Sequence, residues 1–426
     1  MKLTKPISFL LLLSLTFCTL FVPCAFNASA DGTKTAQSLV DELTSEYNFT
    51  GVLYATKNGE VIAEYANGFA NTAEGKEMTT DTLFPIGSLS KQFCATAVLL
   101  LKEQGKLSVD DKLSEYFPEY EIGKDLTIKN LLTNRSGIRN YQEGVVYGEY
   151  ELSFEATSAE NKQTIKDWIF SKALKFKPNA SYEYSNTNFF LLSLIVEQVS
   201  GQNYMDFVKE NILIPMEMHN SGFYEEMYDH PELAEHNGEL TDPMCKGYAQ
   251  GAGDLVSNAK DLDKWMTSFK DHTLLSEESY KEMTTDYSPT TGYGYGIGVV
   301  PNGGLTHTGA ITTYVCTAST YPEIGINIFA ITNDWEVYET NLFTVAYNLE
   351  DKLQLIYGDV NMDNTVNIKD ATLIQKFAAM FFKFNDAETM CADINSDGKV
   401  NIKDATAIQK HTANIETSLP IGEYIY

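Results

Sequence analysis

Residues 84 to 106, FPIGSLSKQFCATAVLLLKEQGK, constrain the fold more tightly than any other stretch. A short strand or turn breaks at Gly87, and a helix is expected to open at Ser88. From Phe93 to Leu101 every residue but Thr96 is apolar, which predicts a helix buried on most sides, with Gly105 at its C′ position. Ser88 and Lys91 stand three apart in the first turn and so share one face, where the amine can reach the hydroxyl. A serine hydroxyl is a weak nucleophile until a neighbour takes its proton. An amine can do so once burial, by disfavouring the charged form, lowers its pKa. The helix N-terminus adds unpaired N–H groups and a positive dipole end where an oxyanion can develop.

A length of 426 residues and 43% hydrophobic content predict two or three domains with a sizeable core. Lys2 and Lys5 precede an apolar run from Ile7 to Val22, and Ala28-Ser29-Ala30 offers a small-residue cleavage site. This is the pattern of a secretory signal peptide over residues 1–30, with cleavage expected after Ala30 and export from the cell. It is too short and wrongly flanked for a membrane anchor, and neither Cys18 nor Cys24 follows a small residue, which argues against lipid attachment. The net charge of −27 argues against nucleic-acid binding, which needs a basic footprint, and fits an exported protein that binds cations. Cys94, Cys245, Cys316 and Cys391 are too irregularly spaced for a zinc site or a dense disulfide framework. Cys94, on the apolar helix, reads as a small core residue.

Along the chain, Leu39, Val40, Leu43 and Tyr47 predict an amphipathic helix over 31–48, and Asn58-Gly59 between two apolar runs predicts a β-hairpin. A helix is expected from Leu126 to Leu132, then a turn at Asn134–Gly137. Residues 139–180, with Tyr141, Tyr147 and Tyr150, read as a helical insertion shaping a cleft. Tyr184-Ser185-Asn186 sits in a turn before a long apolar helix closing at Gly201, so the Tyr and Asn side chains can both point into one site. A Gly-rich stretch (Ala249–Ser257) precedes a helix around Leu262–Phe269. GYGYGIGVV and LTHTGAITTYVCTAST then read as two antiparallel strands, with His307-Thr308-Gly309 opening the second. The small Gly309 is expected to admit a substrate backbone. A further strand over Ile326–Thr332 and a helix near Asn341–Leu353 complete an α+β layout, a sheet from both chain ends with helices packed on it. The expected boundaries are 31–353 for this domain, 354–357 for a linker and 358–426 for a C-terminal module.

Ser88-Leu-Ser-Lys91, Tyr184-Ser-Asn186 and His307-Thr-Gly309, beginning 96 and 123 residues apart, occur with FPIGSLSKQF, IKNLLTNRSGI and AQGAGDLVSNAKDL. Together they resemble the serine β-lactamase and penicillin-recognising family, in the branch of class C β-lactamases, D-Ala-D-Ala carboxypeptidases and related esterases. The resemblance covers roughly 35–350 and implies an acyl-enzyme with no catalytic cofactor. Ser88 would attack, Lys91 and Tyr184 would share its proton, and Asn186 would hold Lys91 and the substrate amide. The N–H groups of Ser88 and Ala310 would form the oxyanion hole, with Thr308 and Gly309 against the substrate. His307 departs from the lysine of many β-lactamases and points toward the carboxypeptidase and esterase members. At an ordinary pKa near 6.5 its charge would be partly present at neutral pH. Asn179 stands where glycine is usual.

Residues 359–376 repeat at 393–410: DVNMDNTVNIKDATLIQK against DINSDGKVNIKDATAIQK. Oxygen-bearing side chains fall at positions 1, 3, 5, 9 and 12 of a twelve-residue loop, the EF-hand calcium pattern. They are Asp359, Asn361, Asp363, Asn367 and Asp370 in the first loop, and Asp393, Asn395, Asp397, Asn401 and Asp404 in the second. Thr365 and Lys399, at position 7, would offer carbonyls. Asp replaces the usual Glu at position 12, and Asn364 replaces the turn glycine, which makes the first loop the weaker case. The paired loop–helix resembles a small all-α type I dockerin over 358 to about 415. That resemblance implies two calcium ions and a cohesin module on a cellulosome scaffold as partner. Ile368, Lys369, Ile402 and Lys403, with helix residues near Gln375 and Gln409, would set cohesin choice.

Overall fold

A computed structural model describes residues 35–235, 245–288, 290–335 and 341–426; the expected signal peptide lies outside them. The described residues form two compact units, 50–342 and, separately, 35–49 with 343–426.

The larger unit is built on a six-stranded antiparallel sheet. Asn58 (φ 53°) and Gly59 (φ 81°) make the predicted tight turn between β1 (Gly51–Lys57) and β2 (Glu60–Asn67). The sheet order is β2-β1-β11-β10-β9-β8, so the first hairpin pairs directly with the last strand, β11 (Ile326–Thr332). Two small sheets complete the strands. β3 (Phe69–Asn71) pairs with β4 (Lys76–Glu77), while β5 (Phe84–Pro85) and β6 (Gly222–Phe223) flank β7 (Leu255–Ser257).

Two strand expectations are corrected. LTHTGAITTYVCTAST is two strands, β9 (Leu305–Ile311) and β10 (Tyr314–Tyr321), turned at Thr312 with φ 52°. No glycine or asparagine marks that turn, and a β-branched residue rarely takes such a φ. GYGYGIGVV gives only the two-residue β8 (Gly298–Val299), because Gly292 (φ 59°) and Gly296 (φ 70°) bend the chain before it.

The helices follow the apolar patterns. The predicted start at Ser88 is a single tight turn over Gly87–Leu89, after which α2 runs Ser90–Glu103 and ends before Gly105 (φ 67°). α3 (Leu113–Tyr116), α4 (Ile128–Leu132), α5 (Gln142–Val146) and α6 (Ser158–Phe170) lead to α7 (Asn186–Ser200), closed by left-handed Gly201. α8 (Tyr204–Val208) and α9 (Tyr224–Met227) precede α10 (Ala259–Asp271) and α11 (Glu277–Met283). α10 lies on the sheet, where Phe93 of α2 stacks on its Trp265 at 4.0 Å between ring centres. Eleven of the fourteen α2 residues are buried, seven of them apolar members of one core with α7, α10 and the strands. Each fully buried Leu or Phe there contributes roughly 1.5–3 kcal/mol of hydrophobic stabilisation, so α2 and α7 are firmly anchored beside the site.

In the second unit α1 (Ala36–Glu46) packs on α12 (Phe343–Leu353), and α13 (Ile368–Ala378) packs on α15 (Ile402–Thr412), with α14 (Asp386–Ala392) between them in sequence. Residues 355–357 pair with the chain end through Tyr357 N–H to Glu423 O (2.9 Å), Gly422 N–H to Tyr357 O (2.8 Å) and Ile425 N–H to Leu355 O (2.9 Å). Among the described residues no helix is long and apolar enough to cross a membrane.

Candidate active site

Close backbone packing places Ser88. Strand β5 pairs with β7, Ile86 N–H donates to Leu255 O (2.9 Å), and Gly87 takes φ 51°. A Cβ on Gly87 would lie 2.7 Å from Ala310 N, and one on Gly309 would lie 2.0 Å from Ile86 O. These glycines let the Ser88 turn press against β9. This corrects the expectation for Gly309: the space beside it holds the chain's own Ile86 carbonyl and Cys316, not a substrate backbone. Ser90, missed in the sequence, braces the turn by donating to Gly87 O (2.7 Å) and accepting from Leu255 N–H (3.1 Å).

Lys91 is fully buried and donates to Ser88 Oγ at 2.9 Å and to Ala252 O at 2.6 Å. Its Nζ lies 4.9 Å from the Tyr184 ring centre and 5.7 Å from that of Phe189. Desolvation holds its pKa well below the usual lysine value, so the amine is available as a base. The Tyr184 hydroxyl also bonds Ser88, and burial pushes its pKa up, which keeps it a phenol. The lowered pKa suits Lys91 to accept a proton, and the raised one suits Tyr184 to donate one.

Asn186, at the start of α7, donates from Nδ2 to Gln142 Oε1 at 2.7 Å, and its Oδ1 is buried with no hydrogen-bond partner. The expected Asn186–Lys91 contact is replaced: Lys91 bonds a backbone carbonyl, and Asn186 is oriented by Gln142 of α5. Asn179, in place of glycine, takes the left-handed φ of 64°, and its side chain accepts from Asn130 Nδ2 at 2.9 Å.

His307, on β9 opposite Ala318, is 8% exposed. Its Nδ1 lies 2.6 Å from the Thr308 carbonyl, which can only accept, so Nδ1 carries the proton and Nε2 accepts from the Tyr293 hydroxyl at 3.3 Å. Burial first, then the nearby Lys91, lowers its pKa to about 4. His307 is neutral at neutral pH, correcting the expectation of a partly charged imidazole. Thr308 faces Thr317 of β10 and contributes its carbonyl to His307. Ser88, Tyr141, Gln142, Asn186, Tyr248, Ala252, Gly253 and Ala310 line an open cleft. Among the described residues, Cys94, Cys245, Cys316 and Cys391 are free thiols.

Residues 36–346 match the family described as Beta-lactamase. The chain belongs to the beta-lactamase family. This beta-lactamase-family chain is 31% identical over 274 residues to a putative penicillin-binding protein PbpX of Bacillus subtilis (strain 168), covering 63% of the chain and 66% of that relative. It is 24% identical over 280 residues to a teichoic acid D-alanine hydrolase of Staphylococcus aureus (strain MRSA252), covering 62% and 68%. It thus spans about two thirds of these relatives' lengths. The octameric penicillin-binding protein homologue from Pyrococcus abyssi superposes with a TM-score of 0.61 at 28% identity, over 74% of this chain and 76% of that one.

The beta-lactamase-family region is followed by a dockerin type I domain, matched over residues 357–417. Among the described residues no three or more His, Cys, Asp or Glu side chains gather as a metal site on their own. The expected ligand sets also draw on the side-chain amides of Asn361, Asn367, Asn395 and Asn401 and on the carbonyls of Thr365 and Lys399. In both loops the backbone aims the carboxylates the same way. Asp359 accepts from Asp363 and Asn364 N–H (3.1 and 2.8 Å), as Asp393 does from Asp397 and Gly398 (3.1 and 2.9 Å). Asp370 accepts from Val360 and Asn367 N–H (3.0 and 2.9 Å), as Asp404 does from Ile394 and Asn401 (3.2 and 2.9 Å). Asn364 (φ 61°) makes the same left-handed turn as Gly398 (φ 76°), so the first loop keeps the geometry of the second. Burial raises the pKa of Asp359 and Asp404, and neighbouring carboxylates add to it, Asp370 and Asp363 for the first, Asp393 and Asp397 for the second. A hard cation relieves that repulsion, and the donor set fits calcium.

Proposed function

We propose that this chain is a secreted serine hydrolase acting through an acyl-enzyme on an ester or D-amino-acid amide, attached by its dockerin to a cohesin of a cellulosome-type complex. The observation that carries the reading is Ser88 Oγ lying 2.9 Å from the desolvated Lys91 amine. Lys91 takes the Ser88 proton as Oγ adds to the carbonyl carbon. The N–H groups of Ser88 and Ala310 receive the oxyanion. Tyr184 protonates the leaving group and regains its proton from the Lys91 ammonium, then helps water release the acyl group. The Asn186 Oδ1 acceptor supports an acyl portion carrying an N–H donor.

Neutral His307 favours an uncharged leaving group over the carboxylate of a D-Ala-D-Ala peptide, and among the described residues none that lines the cleft is cationic. The name of the Staphylococcus aureus relative supports a D-alanyl group. In the dockerin, calcium would be held by Asp359, Asn361, Asp363, Thr365 O, Asn367 and Asp370, and by the matching residues from Asp393 to Asp404. When bound, the ion neutralises the clustered carboxylates and orders the loops.

A fluorophosphonate probe should label Ser88, as mapped by mass spectrometry. Ser88→Ala should lose turnover by several orders of magnitude without unfolding. Across p-nitrophenyl esters, D-alanyl esters, nitrocefin and D-Ala-D-Ala peptides, KM for the esters should stay flat from about pH 5.5 to 8, since an imidazole titrating near 4 does not change there. An adduct on another serine sinks the nucleophile. Preference for the anionic peptide, with KM rising through pH 6–7, sinks the substrate class.

A further inference from the structure

Asp254 sits between the cleft wall formed by Ala252 and Gly253 and the start of β7. Its Oδ1 accepts from Gly251 N–H at 3.2 Å, and its carbonyl accepts from Tyr224 N–H at 2.9 Å. In the turn it closes, Ala252 and Gly253 N–H donate to Ala249 O (2.9 and 2.8 Å), leaving the Ala252 carbonyl to take Lys91 Nζ at 2.6 Å. The titratable groups around its carboxyl are Lys91 and Cys94 of α2, Tyr204 of α8 and Glu225 of α9. Burial keeps Cys94 and Tyr204 protonated and uncharged, so Lys91 is the group here that can take up a positive charge. Desolvation pushes the Asp254 carboxyl up to about 7, against the pull of the Gly251 N–H and of Lys91. No expectation from sequence singled this residue out.

We propose that Asp254 is a positioning residue for the Ser88–Lys91 pair: it braces the turn that offers Ala252 O to Lys91, and its charge governs how readily Lys91 takes the serine proton. The inference rests on Ser88 and Lys91 being the reacting pair. In that step the Oγ–H bond breaks as an Nζ–H bond forms and Oγ bonds the carbonyl carbon, the carbonyl π pair moving to oxygen. Lys91 becomes an ammonium, and an ionised Asp254 stabilises it. A protonated Asp254 does not, so kcat/KM falls as pH drops through about 7.

Asp254→Asn keeps an oxygen for the Gly251 N–H and removes the charge. With p-nitrophenyl acetate and the full chain, it should lower the plateau of kcat/KM by about tenfold, the scale of one charge contact. It should also abolish the limb near pH 7 while KM changes little. An unchanged pH profile overturns the proposal. Should that variant not fold, ¹³Cγ-aspartate NMR of the wild-type chain and of Lys91→Met decides without reference to activity. Asp254 should titrate near 7 in the first and higher in the second, where the amine that can take up a balancing positive charge is gone. Titration in the ordinary carboxylate range, or no shift in Lys91→Met, overturns the proposal whatever the substrate proves to be.

Discussion

Burial disfavours the charged forms of both His307 and Asp254, but the two groups bind protons in opposite senses relative to the unfolded chain. For His307 the folded pKa of about 4 lies below the ordinary 6.5, so between those values the unfolded chain carries the extra proton. Stability from this group therefore rises with pH across the window, by on the order of 3 kcal/mol in full. For Asp254 the folded pKa of about 7 lies above the ordinary 3.8, so the folded chain carries the extra proton and stability falls as pH rises through the same range. The two slopes oppose. His307→Gln should leave a larger unit whose urea midpoint falls between pH 4.5 and 6.5, and Asp254→Asn one whose midpoint rises, relative to wild type in saturating calcium. Slopes of the same sign in both variants would show that one of the two groups is not titrating as its burial dictates.

The Ser88 turn and strand β9 are two elements joined through glycines, and that junction is where small substitutions matter. Gly309→Ala drives a methyl into the Ile86 carbonyl, and Gly87→Ala combines a left-handed φ with a clash against Ala310 N. Each should cost about 1–3 kcal/mol and at least tenfold in kcat, because the backbone that shifts carries Ser88 and Ala310. Gly105→Ala is the control: its φ of 67° is strained, but nothing lies within 4 Å of the added methyl. It should lose about 1 kcal/mol with kcat unchanged. Melting temperatures and kcat for the three variants check this, and a fully active Gly309→Ala rejects it. The face shared by Ser88 and Lys91 was legible in the sequence because i, i+3 geometry is local, as were the Asn58-Gly59 hairpin and the repeated loops. What was illegible depends on distant partners. Lys91 meets a backbone carbonyl 161 residues away, and Asn186 meets Gln142 across 44 residues. The neutrality of His307 comes from burial beside Tyr293 and Lys91. The break at Thr312 carries no turn residue at all.

At the scale of the whole chain, which carries a net −27, the two C-terminal loops each gather three carboxylates: Asp359, Asp363 and Asp370, then Asp393, Asp397 and Asp404. The core behind them is small: Val360, Ile374, Ile394, Ile408 and Ile421 with a few alanines, alongside a satellite of Leu355, Cys391 and Ile425. A core of that size leaves a short segment marginal on its own. A ligand at a thousandfold its Kd adds about 4 kcal/mol per site, and two such sites rival the roughly 5–15 kcal/mol of a whole domain's net stability. Calcium binding is then folding free energy for this segment. In EDTA, helices α13 and α15 should melt, seen as lost ellipticity and as protease cleavage between residues 358 and 415, and capture by immobilised cohesin should fail. Ester hydrolysis by the same sample should persist, since Ser88, Lys91 and Tyr184 need no metal for the chemistry proposed. Asp359→Ala with Asp393→Ala should behave in calcium as the wild type does in EDTA. The coupling is rejected by a fragment of residues 355–426 whose circular dichroism is the same with and without calcium, because its fold would then owe nothing to the ions its loops are shaped to hold.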